Sequence, residues 1–295
     1  MPDRVVRSAA EKAVAVGAWG LAGACYERAL ATSGPDTPLG ERAGIELRAG
    51  KAVRRNFDYA TAYPHLRSAA ELAERAGDCE TWGEALSWLT GAEVLERVSD
   101  VAIDEAMVGR FIAAAGESHA DARALVLANV AQHYFSRFDI AAAVPHIEQA
   151  RVAAERAGRA GPRHLVATVD GLHRLGALDL RGAGACFRDA VTMGSDHEDQ
   201  WQAVWTEGCL PLVEALTGHL DDAESGAAAA VEASVATHQW NLHGLASACR
   251  AAAALGQGRV TDAEEQAIVA VQSFRRSEYF WAGAVGYPHV VAAPA

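Results

Sequence analysis

The chain has 295 residues, 51% of them apolar but only 7% aromatic, and carries a formal charge of −12. That balance excludes a general nucleic-acid surface or an anionic-membrane surface, both of which need clustered cations. No stretch is long and apolar enough to span a bilayer. An interior short of rings must be built from alanine and leucine, which suits closely packed helices. The five cysteines are an odd number, lie far apart and include no C-x-x-C pair, as expected of a reducing cytoplasm.

The first segment is apolar over residues 13–24 and runs into Ala22, Gly23, Ala24 and Cys25, which imitates a lipoprotein signal. The same Ala-Gly-Ala-Cys order returns at residues 183–186, and Asp3 and Glu11 spoil a basic leader. The pattern is therefore expected to be a repeat position, with Cys25 and Cys186 buried or half-buried in equivalent hairpins.

Residues 56–77 return at 137–158, starting 81 residues later. Both copies open on Phe-Asp, carry alanines at helical spacing and a Pro-His doublet, and close on Ala-Glu-Arg-Ala-Gly. Each predicts one amphipathic helix, with Asp58 or Asp139 capping its start and Gly77 or Gly158 its end. A separation of 81 suits two helical hairpins of about 40 residues each.

Further along, the small-residue signature recurs at Ala22, Tyr26 and Ala29, at Ala62, Leu66 and Ala69, and at Ala143, Ile147 and Ala150. It continues at Ala183, Phe187 and Ala190, at Ala223, Ala227 and Ala230, and at Ala263 and Ala267. Small residues at these places let two helix backbones approach closely. A second marker, an aromatic near the start of the first helix, appears as Trp82, Trp201, Trp240 and Trp281, the last three spaced by 39 and 41 residues. Pro64, Pro145 and Pro211 fall inside predicted helices, where each removes a backbone donor. The third hairpin lacks the usual turn and carries Val98, Ser99, Asp100 and Val101 instead. Residues 278–291 read as a lone first helix.

These features resemble the tetratricopeptide repeat, with Ala49 and Gly50 before Val53 at the place of its first-helix glycine. Units of about 40 residues that open on tryptophan are closer to the MalT-like repeats of bacterial ATP-dependent transcription regulators and actinobacterial nucleotide-cyclase-type regulators. The resemblance implies an all-α right-handed superhelix (α-solenoid) of about seven helix-turn-helix repeats plus a C-terminal helix, with residues 1–295 as a single domain. It extends to the scaffold only. No phosphate-binding loop, cyclase segment or helix-turn-helix reader is present.

Function is then sought on the polar residues of the first helices, which line the concave face of such an array. Arg48, Lys51 and Arg55 stand on one helical face and suit carboxylates or phosphates, or else form a solvated face paired with Glu46. Asp170 and His173 are one turn apart, an arrangement that orients an imidazole for proton transfer or makes a plain structural bond. Trp88 and Trp205 are read at early positions of their first helices, as flat binding platforms or as packing between units. His65 and His146 share a repeat position, which favours packing or capping. The run Asp196, His197, Glu198 and Asp199 has metal-binding atoms but no second ligand cluster. No catalytic residue, metal or cofactor is assigned.

The expected function is a non-catalytic scaffold or sensor module of a cytoplasmic bacterial regulator. It would bind a protein or peptide with acidic groups in its groove, with no nucleic acid and no membrane, and a homodimer stays open. The contact is expected to weaken with salt. Two rivals stand beside it: an enzyme or small-molecule receptor with a closed concavity, and a structural spacer or dimerisation unit.

Overall fold

A computed structural model describes residues 2–34, 36–56, 58–91, 103–137, 139–193, 200–236 and 239–277. Within them lie fourteen α-helices and no strand. In chain order these are α1 (Pro2–Ala15), α2 (Trp19–Thr32), α3 (Leu39–Arg55), α4 (Tyr59–Ala76), α5 (Cys79–Thr90), α6 (Glu105–Ala115) and α7 (Ala120–Ser136). They continue with α8 (Ile140–Glu155), α9 (Ala160–Gly176), α10 (Leu180–Thr192), α11 (Gln200–Leu216), α12 (Leu220–Ala236), α13 (Trp240–Gly256) and α14 (Val260–Ser277). The expected C-terminal helix, the turn at residues 98–101 and the acidic run at residues 196–199 lie outside the described residues.

Local chemistry sets the helix starts. Asp58, Asp78, Asp104, Asp139 and Asp179 each sit at an N-cap, and each side chain accepts from the backbone N–H three residues on. That contact satisfies one of the donors a helix start leaves without an internal partner. Gly77 closes α4 in the left-handed region at φ 69°. Gly158 does not close α8. That helix ends at Glu155 with Arg156 as its C-cap, so the second copy of the repeat stops earlier than its sequence predicts. Pro64 and Pro145 both occupy the sixth position of their helices, which run through them.

Packing divides the chain into two compact units, residues 1–133 and 134–295. In the first, α1 packs on α2, α2 on α3, α3 on α4, α4 on α5 and α5 on α6. In the second, α8 packs on α9, and the order continues helix by helix to α14, with α11 also against α13. The signature positions are the contacts themselves. Ala22, Ala62, Ala69, Ala143, Ala150, Ala183, Ala190 and Ala227 are each no more than 1% exposed, and Leu66, Ile147 and Phe187 fill the gaps beside them. Gly50 shows why small residues are needed: a Cβ built there would lie 2.8 Å from the Leu66 side chain. Gly171 repeats the arrangement, 2.6 Å from the Phe187 ring. Cys25 and Cys186 are both half-buried, as their shared motif predicts.

Candidate functional site

In the first unit, α2, α3 and α5 bring their cations and indoles together. Trp19 opens α2, and Trp88 stands two residues from the end of α5, not near its start as the sequence suggests. From α3 the Arg55 guanidinium lies 4.8 Å from the Trp19 ring centre and 5.7 Å from that of Trp88. Arg54 lies 4.6 Å from Trp88 and Lys51 5.2 Å from it. All four contacts fall within the range where a cation is attracted to an aromatic face. Lys51 also donates to Glu84 at 2.6 Å, one turn before Trp88 on α5.

The arrangement gathers three α3 cations against two half-buried rings. A guanidinium stacked on an indole holds its donors in its own plane, the geometry in which it bonds a carboxylate bidentately. Arg48 is not part of the stack. It is exposed, its Nε donates back to the Gly44 carbonyl at 3.3 Å, and it lies near the Tyr26 hydroxyl. Of the residues singled out from sequence, then, Lys51, Arg55 and Trp88 come together, whereas Trp19 and Arg54 were missed. Trp19 lies just ahead of the Ala22, Tyr26 and Ala29 signature on a second helix, and Arg54 lies off the stripe formed by residues 48, 51 and 55.

Glu46, expected to pair with those cations, is taken by α4 instead. Only 8% exposed, it accepts from His65 Nδ1 at 2.7 Å and from Ser68 Oγ at 3.1 Å. The bond to Glu46, opposed by burial and aided by the charges of Glu46 and Glu27, raises the His65 imidazole above its ordinary value. His146 shares the repeat position of His65 and stacks on Tyr134, 5.7 Å between ring centres.

In the second unit Asp170 is not paired with His173. It is 7% exposed and accepts from Arg151 Nε at 3.0 Å, from Arg174 Nε at 3.2 Å and from the Cys186 thiol at 3.4 Å. Burial alone would push its carboxyl up, but the hydrogen bond and charge of Arg151, with the charge of Arg174, hold it below the ordinary carboxylate range. The Cys186 thiol is pushed up to about 11, first by burial and then by Asp170. A protonated thiol facing a captive carboxylate is a structural donor, not a nucleophile. Among the described residues His173 Nδ1 is buried without a hydrogen-bond partner. The Trp205 side chain lies outside the described residues.

A buried polar cluster between α9, α10 and α11 escaped sequence reasoning. His164 Nδ1 lies 2.9 Å from the Ala190 carbonyl, to which it must donate, and Nε2 lies 3.0 Å from Thr206 Oγ1. Thr206 also meets Thr168 at 2.8 Å. Among the described residues no group of His, Cys, Asp or Glu could hold a metal ion, and no helix is long and apolar enough to cross a membrane.

No protein-family model and no curated protein matches the sequence. Solved structures do. The chain is similar to a Rap protein, solved in complex with Competence and Sporulation Factor, at 12% identity and a TM-score of 0.55, covering 99% of this chain and 96% of that one. Weaker likeness, with TM-scores of 0.33 and 0.28 at 12% and 10% identity, links it to the TPR2AB domain of yeast Sti1 in its pHSP90 complex and to the P58(IPK) TPR domain. Each of these spans 99% of this chain and 98% of the other. The likeness to the Rap protein at that identity fixes the fold alone: the described residues form an all-α array of tetratricopeptide-like helical repeats.

Proposed function

We propose that the chain is a non-catalytic module that binds a protein or peptide through an acidic segment, and that the segment docks at the cation and indole cluster of α2, α3 and α5. The observation that carries this reading is the convergence of Lys51, Arg54 and Arg55 on Trp19 and Trp88 in a chain of net charge −12. Arg48, one turn earlier on α3 and exposed, extends the positive field toward solvent. That the Rap protein was solved with Competence and Sporulation Factor bound agrees with a binding role for this fold. The setting that goes with this reading is a cytoplasmic bacterial regulator of MalT-like type, its repeats acting as one domain. The enzyme alternative loses its candidate pair, because Asp170 is engaged by two arginines and a thiol rather than by His173.

The test uses a fluorescein-labelled glutamate-rich peptide and its lysine-rich counterpart. Wild-type protein should bind the first and not the second. Arg48→Ala combined with Arg55→Ala should weaken binding by about 1–3 kcal/mol if both bonds are charge-assisted. Equal affinity of the double variant and the wild type rejects the site.

A further inference from the structure

The second unit exposes a leucine at the turn of each of three successive hairpins. Leu178, Leu216 and Leu255 stand in or just before the turns that join α9 to α10, α11 to α12 and α13 to α14, spaced by 38 and 39 residues. They are 82%, 41% and 46% exposed, whereas Ala183, Ala223 and Ala263, just beyond each turn, are buried. The first helices touch in series, α9 on α11 and α11 on α13, which sets the three turns side by side at steps of about 8–10 Å. Close approaches hold that edge together. A Cβ on Gly184 would lie 3.3 Å from the Val213 side chain, which brings the end of α11 level with the start of α10, and one on Gly256 would lie 2.9 Å from Leu220.

Leu178 is the costly member of the row. It holds φ 62°, a left-handed conformation that the next two turns give to Gly218 and Gly258. Single exposed leucines are ordinary, but a row at the repeat spacing that includes a strained one is not. The charge around the row is negative. Arg174 is spent on Asp170 and Asp179, and Arg259 on Glu224 and Asp262. Asp221 and Asp222, exposed at the start of α12, form no ion pair among the described residues. Glu214, two residues before Leu216, has its carboxyl raised first by burial and then by the charge of Asp222, so carboxylates crowd this edge. Against them stands Arg181, exposed at the start of α10.

We propose that this turn edge is a docking surface for a basic amphipathic helix of a partner protein, its apolar residues at heptad spacing on Leu178, Leu216 and Leu255 and its lysines or arginines against Asp221, Asp222 and Glu214. The turns keep their amides to themselves: Asp179, His219 and Arg259 donate their N–H groups back to the carbonyls of Arg174, Glu214 and Ala254. An extended segment gains no ladder of main-chain bonds there, whereas a helix meets its own backbone groups and offers side chains alone. A helix also has the right ruler, since seven residues rise about 10 Å, one step from turn to turn. A second copy of the chain fits poorly, because a two-fold contact sets the face on itself and acid on acid. An anionic lipid surface is repelled by the same charges. The edge belongs to the second unit and shares no residue with the cation and indole cluster, so either stands without the other.

The probe is a fluorescein-labelled synthetic peptide of three heptads, with leucine at the a and d positions and lysine elsewhere, followed by anisotropy on the full chain. One counterpart carries glutamate in place of lysine, and another has the same composition scrambled so that no leucine face forms. The chain should bind the first peptide at least tenfold more tightly than either counterpart. Leu216→Ser with Leu255→Ser, and separately Asp221→Asn with Asp222→Asn, should each weaken it at least fivefold. Leu178→Gly should weaken it while its urea midpoint does not fall, which separates lost binding from lost folding and carries the test should the paired leucine variant fail to fold. Arg48→Ala with Arg55→Ala should leave this peptide unchanged, and Leu178→Gly should leave the glutamate-rich peptide unchanged. Absence of binding overturns the proposal, as do equal affinity for the scrambled peptide and variants of the turn edge that all stay within twofold of wild type. A dimer of the wild-type chain that Leu178→Gly dissolves would overturn it as well and give the edge to a second copy.

Discussion

Leu178 is out of place by its backbone. Among the described residues five turns between helices carry a glycine at positive φ: Gly17 at 71°, Gly77 at 69°, Gly116 at 54°, Gly218 at 85° and Gly258 at 77°. At the turn before α10 the same conformation is held by Leu178, at φ 62° and 82% exposed, so its side chain gains nothing in packing to offset the strain. Leu178→Gly should raise stability by about 0.5–1 kcal/mol, the relief of strain less the entropy glycine costs, and a urea midpoint that does not rise would show the turn to be unstrained. His65 gives a prediction in pH. Its folded-state value is raised above the ordinary imidazole value by Glu46, so its stabilising contribution is full below about pH 6.5 and fades as pH rises through the higher folded value. The difference in urea midpoint between wild type and His65→Gln should therefore narrow from pH 6 to pH 8.5, and a constant difference refutes the linkage. At this scale the sequence was legible where one residue acts through its own neighbours in the chain. Asp58 and Asp139 were readable as caps because the N–H they bond lies three residues on. The partner of Glu46 was not readable, since His65 lies 19 residues away on another helix and competed unseen with Arg48 and Lys51.

Each helix pair is set by where its backbones must come close. Ala69 and Ala150 are fully buried at equivalent places in α4 and α8, so enlarging either forces the neighbouring helix away. Ala69→Leu and Ala150→Leu should each cost roughly 1–3 kcal/mol, and unchanged denaturation midpoints in both would mean the repeats are wrongly phased. Helix existence was legible because small residues recur at a fixed period, whereas helix ends were less so. Gly158 belongs to the same motif as Gly77, yet α8 stops at Glu155, because nothing obliges a repeated glycine to adopt the left-handed turn. A regularity among the polar residues also went unread. Asn129 Nδ2 donates to Ser87 Oγ at 3.1 Å from α7 to α5, and His164 meets Thr206 from α9 to α11, each pair 42 residues apart. Both bonds join first helices one period apart, so the signal was a polar residue matched to another at the repeat spacing. Apolar periodicity hid it.

On the whole molecule, charge acts on an acidic partner in two opposed ways. The cluster at Trp19 and Trp88 attracts carboxylates over a few ångströms, whereas the net charge of −12 repels the same partner from every side. The fold was legible because it follows from a pattern repeated along the chain. The site was not, because it depends on which faces of three different helices meet, and that choice put Arg54 and Trp19 beside Trp88 while leaving Arg48 apart. The two charge effects have different ranges, and salt separates them. The screening length is about 30 Å at 0.01 M and about 8 Å at 0.15 M, so moderate salt removes the diffuse repulsion before it reaches contacts made at half-buried rings. Further salt, with a screening length near 3 Å at 1 M, weakens the contacts themselves. The simple expectation that binding weakens with salt should therefore hold only above about 0.15 M. Affinity for the glutamate-rich peptide should first rise between 0.01 and 0.15 M and then fall. Arg48→Ala with Arg55→Ala should flatten the fall while keeping the rise, because the repulsion belongs to the whole chain and the attraction to the cluster. A decline from the lowest salt onward, equal in both proteins, would mean that the peptide is held elsewhere.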